Sequence, residues 1–288
     1  MRSLRTAVVA AAAVATCLAL GARSTGAATI DVPPDQPTIA NAIAAAAPGD
    51  IVHVEAGTYH EKLQVPKRLT DLTLEGDPAG GTILEGIPGT SSDVLRVRAS
   101  GTTVRDLEIQ GGNVAIRIDY ASEATVLDVT TDGAREGIRV SNSPRSVVAD
   151  STITNTRDGN GITVNRSNDA TVSGNTVTNA QREGILVQNS PTAFTSGNTV
   201  DASEGGSGVH AYHDPNSTVR DNVVTHSDLN GIRVQSCPAV TVTGNRADEN
   251  ANYGIRVEHS PPIASRTDLV SAGNTAAGNL SGDFRVTP

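Results

Sequence analysis

A chain of 288 residues with 31 acidic against 22 basic side chains, a net charge of −9, repels the phosphates that a general nucleic-acid binder must attract. With no Trp, two Phe and 28 Gly it is poorly supplied for a large aromatic-lined sugar cleft, and two Cys exclude a disulfide framework.

Arg2 and Arg5 precede an apolar run from Ala7 to Leu20, and small residues follow at Gly26, Ala27 and Ala28. This pattern predicts a secretory signal over residues 1–28, cut near Ala28, and an exported product that is secreted, periplasmic or held at the cell surface. The run is too short for a membrane span and has no stop-transfer flank, so the mature chain is expected to carry none. Cys17 lies inside this run behind Thr16, a poor lipoprotein context, which leaves Cys237 as the single mature thiol. Cys237 is read as a small residue in a turn before Pro238.

Residues 37–49 predict a helix, with Ile39, Ala42, Ile43 and Ala46 on one face and a Pro48-Gly49 stop. A solenoid needs its open end covered, and this helix is read as the N-terminal cap. Residues 50–61 follow as the first coil, in which Tyr59 and Glu61 are given structural roles.

One short phrase then returns six times, starting at Gly137, Gly161, Gly184, Gly208, Gly231 and Gly254, each followed by a β-branched residue, a variable residue and Val or Ala. Fourteen residues after the first five of these glycines stand Ser151, Asn175, Asn198, Asn222 and Asn245, usually after Gly or Asp. Two markers on one beat of 22–24 residues, from about 93 to 257, define a repeat of short parallel strands, and the Asn column suits stacked amides at a tight bend. The variable phrase reappears after a longer step at Phe284-Arg285-Val286, which implies an insertion near 261–266 and an irregular last coil.

On these phrases, and on the opening from the helix through Ala56, Gly57, Thr58, Tyr59, His60 and Glu61, the chain resembles the right-handed parallel β-helix proteins of the pectin-lyase-like superfamily. The NosD-like and generic β-helix-repeat families are among them. The resemblance implies an all-β, single-domain right-handed parallel β-helix (solenoid) over residues 29–288 with a short N-terminal capping helix. The opening is also similar to that of pectin methylesterases, but their later catalytic motifs have no counterpart here. NosD-like membership implies an accessory role beside copper-enzyme maturation.

In each phrase the two flanking apolar residues point inward and the middle one outward. The middle residues form a column: Arg96, Arg117, Arg139, Thr163, Leu186, His210, Arg233, Arg256 and Arg285. Guanidinium groups one coil apart repel by about 0.8 kcal/mol in a water-like medium. Two explanations stand: the stems cover the sheet while the heads pair with neighbours such as Glu136 and Glu258, or the face binds a polyanion. An exported acidic protein points to an acidic polysaccharide or cell-envelope glycan, with Arg96, Arg117, Arg139, Arg256 and Arg285 as substrate-binding residues.

The column breaks at Thr163, Leu186 and His210. A uronate lyase or C5-epimerase needs a base for the proton beside the carboxylate, a cation for the enolate, and an acid at the leaving oxygen or the opposite face. His210 as base, Tyr212 as acid and Arg233, helped by Arg139, as carboxylate clamp supply these roles. The segment His213-Asp214-Pro215 differs in order from the Asp-Pro-His motif of mannuronan C5-epimerases. The alternatives are a non-catalytic surface, adhesion or accessory protein, and a glycoside hydrolase using carboxylates among Asp158, Glu183, Glu204 and Asp228 in the turns before the strand glycines. The six histidines are scattered, so no metal site and no cofactor are read, with calcium at exposed Asp clusters left open. Oligomeric state is not specified by the sequence.

Overall fold

A computed structural model describes residues 26–87 and 91–287. The signal segment and Cys17 lie outside the described residues, apart from residues 26–28. Short strands alternate among three parallel sheets of ten, ten and nine strands, so that each coil contributes one strand to each sheet. The first sheet runs from Thr29–Val32 to Thr241–Thr243, the second from Gly57–Tyr59 to Arg246–Asp248, and the third from Leu63–Val65 to Gly282–Thr287. The third sheet contains the repeated glycine phrases, in register throughout: Arg96 beside Arg117, Arg117 beside Arg139, His210 beside Arg233, and Arg256 beside Arg285. No helix among the described residues is long and apolar enough to cross a membrane.

The alternating pattern dictates this arrangement. In Leu95-Arg96-Val97 the outer two are buried and Arg96 is half-buried, and the later phrases built on Ile and Val follow suit except that Thr163 is itself buried. The interior is a narrow stack of Val, Ile, Leu and Ala. In the six repeated phrases the first position is Gly because a Cβ would strike a neighbouring strand: at Gly184 it would lie 2.3 Å from Val200 Cγ1 and 2.7 Å from the Gly208 carbonyl oxygen.

Buried polar ladders tie successive coils together. Asn175, Asn198, Asn222 and Asn245 each accept a backbone N–H and a side-chain amide N–H from the coil before, except that Asn175 receives only the Ser151 N–H. The series continues to Asn274 across the insertion. The left-handed backbone at this bend belongs to the residue before each ladder position: Asp150, Gly174, Gly197, Asp221 and Gly244 have φ of 49°, 68°, 62°, 53° and 65°. Asp and Gly are the residues that tolerate this region best.

A second ladder occupies the bend from the third sheet to the first. Ser143, Ser167, Ser190, Asp214, Cys237 and Ser260 each accept the N–H of the equivalent residue one coil earlier, Ala121 donating to Ser143. Asp214 is therefore a buried structural residue, with Oδ1 on Ser190 N (2.5 Å) and Oδ2 on Tyr212 N (3.1 Å). Burial pushes its carboxyl up to about 6, against the two backbone N–H groups that favour the charged form. The thiol of Cys237 is likewise pushed up to about 11, first by burial and then by the charge of Asp214 beside it, which keeps it protonated at neutral pH.

Because the folded Asp214 holds its proton to higher pH than the unfolded chain, its contribution weakens the fold as pH rises from about 4 to about 6 and then levels off. Urea unfolding across this window should show the parent losing on the order of 3 kcal/mol relative to Asp214→Ser, which restores the serine of the neighbouring coils. Parallel pH profiles for the two proteins would contradict the assignment.

Two helices depart from expectation. α1 spans Ile39–Ala45 rather than 37–49: Thr38 caps it by accepting from Asn41 N, and Ala46 is already extended. Pro48 disfavours helical geometry at Ala47, whose N–H goes to Asp50 Oδ2 instead. Glu61 receives the free N–H groups of Ile39 and Ala40, and Tyr59 donates to the Glu55 carbonyl, so both residues serve the fold. The apolar face of α1, Ile39, Ala42 and Ile43, is buried against the first strands. The insertion near 261–266 leads into α2 (Arg266–Ser271), closed by a Ser265–Asp268 capping box; the last strand then returns to full register on the third sheet, while the other two sheets end one coil earlier.

Candidate functional site

On the outer face of the third sheet the arginines are largely neutralised. Arg96 donates to Asp119 (2.7 and 3.0 Å), and Arg117 grips Asp93 with two nitrogens (2.6 and 3.3 Å). Arg139 meets Glu136 at 3.2 Å. Glu258 is shared by Arg233 (2.9 Å) and Arg256 (2.7 Å), while Arg285 donates to the Tyr253 hydroxyl and lies over its ring. Burial alone would raise Asp93 and Glu258, but the guanidinium partners outweigh it and hold both below the usual carboxylate range. The coil-to-coil repulsion is thus resolved by acids on the same face, two of which, Glu136 and Glu258, the sequence identified.

The break in the column has different chemistry. Glu136, Asn160 and Glu183 occupy one position, three residues before Arg139, Thr163 and Leu186. They form a polar row: Thr163 Oγ1 donates to Glu136 (2.6 Å), Asn160 donates to Thr163 (2.9 Å), and the Asn160 carbonyl receives Glu183 N (3.1 Å). The row ends at His210, whose Nδ1 lies 3.6 Å from Glu183 Oε1. This is longer than a hydrogen bond, so the coupling is electrostatic. The imidazole is the largest influence holding the Glu183 carboxyl below its ordinary value, against burial. Only 12% of the His210 side chain is exposed, and neither ring nitrogen has a hydrogen-bond partner among the described residues.

Of the residues singled out from sequence, His210, Tyr212 and Arg233 do come together. His210 and Tyr212 share one strand with ring centroids 5.9 Å apart, Arg233 is the register partner of His210, and Tyr212 stacks on His213 at 3.8 Å. Arg139 is not part of this group; it stands three coils away, about 14 Å along the stack. Of the four turn carboxylates, only Glu183 reaches this group. Asp158 pairs with Arg135 and Arg182, Glu204 accepts from Gln181, and Asp228 accepts from Gly205 N. The importance of Glu183 was legible only through its equivalence to Glu136, which itself serves Arg139.

Family comparison supports the fold from two sides. The model described as "Periplasmic copper-binding protein (NosD)" matches residues 82–214, and that described as "Right handed beta helix region" matches 158–285. The chain is a right-handed parallel β-helix repeat protein. No curated protein matches the sequence.

Solved β-helices of similar form include an alginate lyase from Paenibacillus sp. str. FPU-7, at 14% identity and a TM-score of 0.63, covering 90% of this chain and 99% of the lyase. The A-module of the Azotobacter vinelandii mannuronan C-5 epimerase AlgE4 aligns at 17% identity and 0.58, over 86% of this chain and 88% of the module. Pectate lyase Pel9A aligns at 13% and 0.58, over 85% and 72% respectively. At these identities the likeness is one of fold.

The residues of this β-helix do not fit a copper centre. Among the described residues no three His, Cys, Asp or Glu side chains converge as ligands. His226 sits between Asp201 (2.7 Å) and Glu249 (3.0 Å) with one ring nitrogen turned to each, the geometry of a paired imidazolium, and Cys237 is buried in a backbone ladder.

Proposed function

We propose that this β-helix is an exported protein that binds an acidic polysaccharide across the third sheet and carries out proton-abstraction chemistry on a uronate, as a lyase or C5-epimerase, at the coil of His210. The observation that carries the reading is the enclosed His210 imidazole, with both nitrogens unpartnered, 3.6 Å from a carboxylate at the break in the arginine column. Buried polar atoms without partners cost free energy and are retained where chemistry uses them. A lyase and an epimerase acting on alginate or mannuronan among the solved β-helices of similar form support the substrate class, and the periplasmic NosD family supports an exported location.

In this reading His210 takes the C5 proton of a bound uronate, with Glu183 stabilising the imidazolium that results. The free guanidinium nitrogens of Arg233 face the carboxylate as charge moves onto it. In a lyase the C4–O bond breaks and the leaving oxygen takes a proton from Tyr212, giving a 4,5-unsaturated sugar. In an epimerase the first proton stays on His210, Tyr212 delivers another to C5 from the opposite face, and the C4–O bond is left intact. By the same reading, α1 covers the open end of the first coil.

The neutralised arginines favour a second reading, a non-catalytic accessory or adhesion protein in which the column merely shields the sheet. One experiment separates the two: polyuronates are incubated with the parent and with His210→Gln, following absorbance of unsaturated uronate, isomer composition by NMR, and retention on immobilised polymer. An enzyme gives turnover in the parent, lost by at least about a hundredfold in His210→Gln with polymer retention unchanged. Retention with no turnover of either kind in the parent establishes the binder, and absence of both signals removes the glycan reading.

A further inference from the structure

The positive charge that the third sheet has neutralised reappears unbalanced at its edge. In the turns that lead into this sheet, Arg135, Arg157 and Arg182 stand on three successive coils around a single carboxylate, Asp158. Asp158 is 3.3 Å from Arg135 and 3.4 Å from Arg182, at the long end of ion pairing, and Arg157 donates to the Gly112 carbonyl at 3.2 Å. Arg135 also reaches Asn113 at 3.3 Å. Each guanidinium has five N–H donors, and in this group only four in all donate to protein atoms.

Beside them lies a cleft of about 310 Å³, lined by Ser91, Gly112, Asn113, Arg135, Arg157 and Asp158. Gly112 adds no side chain, so the floor is backbone. Arg135 and Arg157 line the cleft with Asp158, and Arg182 reaches the same carboxylate from the next coil; forked guanidinium donors around one acid suit a planar oxyanion. Arg157 and Arg135, the arginines that line the cleft, stand two and three coils, about 10 and 14 Å along the stack, from His210.

We propose that this cleft is an anchoring subsite that holds a uronate carboxylate of the polysaccharide, ahead of the residue presented to His210. The proposal rests on the polysaccharide reading above and adds to it the place where affinity resides: in the turn arginines rather than in the paired arginines of the sheet. Anchoring of this kind weakens with salt, because the pairs that form are exposed.

The test is calorimetric titration of a polyuronate oligosaccharide into the full chain, at about 50 and 200 mM salt, a range over which screening of exposed charges changes markedly. Three proteins are compared: the parent, Arg135→Gln/Arg157→Gln, and Arg145→Gln/Arg220→Gln, which removes the same charge elsewhere. Thermal unfolding checks that all three fold. The cleft variant should bind at least about tenfold more weakly and show a flatter salt dependence, while the control double variant binds like the parent. Equal affinity of the cleft variant and a binding parent overturns the subsite and leaves the polysaccharide reading intact. Equal loss in both double variants also overturns it, since general charge then accounts for the effect. A parent that binds no polyuronate overturns the polysaccharide reading itself.

Discussion

Asn222→Ala should destabilise the β-helix by about 4 kcal/mol, read as a fall in the urea midpoint and a loss of cooperativity. Asn222 is fully buried and sits in the middle of its ladder. Its Oδ1 accepts both the backbone and the side-chain N–H of Asn198, at 3.1 and 2.9 Å. Its own amide donates to the Thr195 carbonyl and to Asn245. Alanine leaves two donors and one acceptor in the interior without partners, and each such group costs about 1–3 kcal/mol. In a solenoid each coil contacts only its neighbours, so a weakened interface midway uncouples the two halves. A single transition at the parental midpoint would show that the ladder contributes little beyond packing.

Gly184→Ala should be similarly severe, by about 3 kcal/mol or more. The added methyl would lie 2.3 Å from Val200 Cγ1, 2.7 Å from the Gly208 carbonyl oxygen and 2.9 Å from Ser203 Oγ. The valine belongs to the second sheet and the carbonyl to the next coil, so relief requires the coil to widen against two neighbours at once. Glycine 197 offers the contrast: it has a φ of 62° and only a distant backbone atom near its Cβ position, so substitution there strains the backbone without a collision. If Gly184→Ala unfolded at the parental midpoint, the account of why the phrase opens on glycine would be wrong.

How much of this was legible in the sequence follows from what repeats. The Gly-Ile-X-Val phrase and the Asn column share one beat, so the parallel coil and the outward arginines could be read directly, while the division of each coil among three sheets could not. The serine ladder keeps the same beat but was hidden, because Asp214 and Cys237 interrupt its identity while preserving its hydrogen bonds. The pairing of Arg117 with Asp93 was hidden for another reason: the acid precedes its partner by one whole coil, and only register reveals the contact. His210, Tyr212 and Arg233 could be grouped because period and alternation suffice for residues on one sheet. Arg135, Arg157 and Arg182 could not, since turns lack a fixed offset and their side chains converge only once the coils are stacked.

The unbroken register of the third sheet gives the molecule a ruler. Every outward position stands a whole number of coils from every other, so the interval between the arginine cleft and His210 can take only values in steps of about 4.8 Å. Gain or loss of one coil of 23 or 24 residues would leave every ladder closed and shift that interval by a single step. Under the proposed polysaccharide reading, a polymer with a regular repeat would then be held either in phase or out of phase with His210, with no intermediate setting, and coil number would select among polymer repeats.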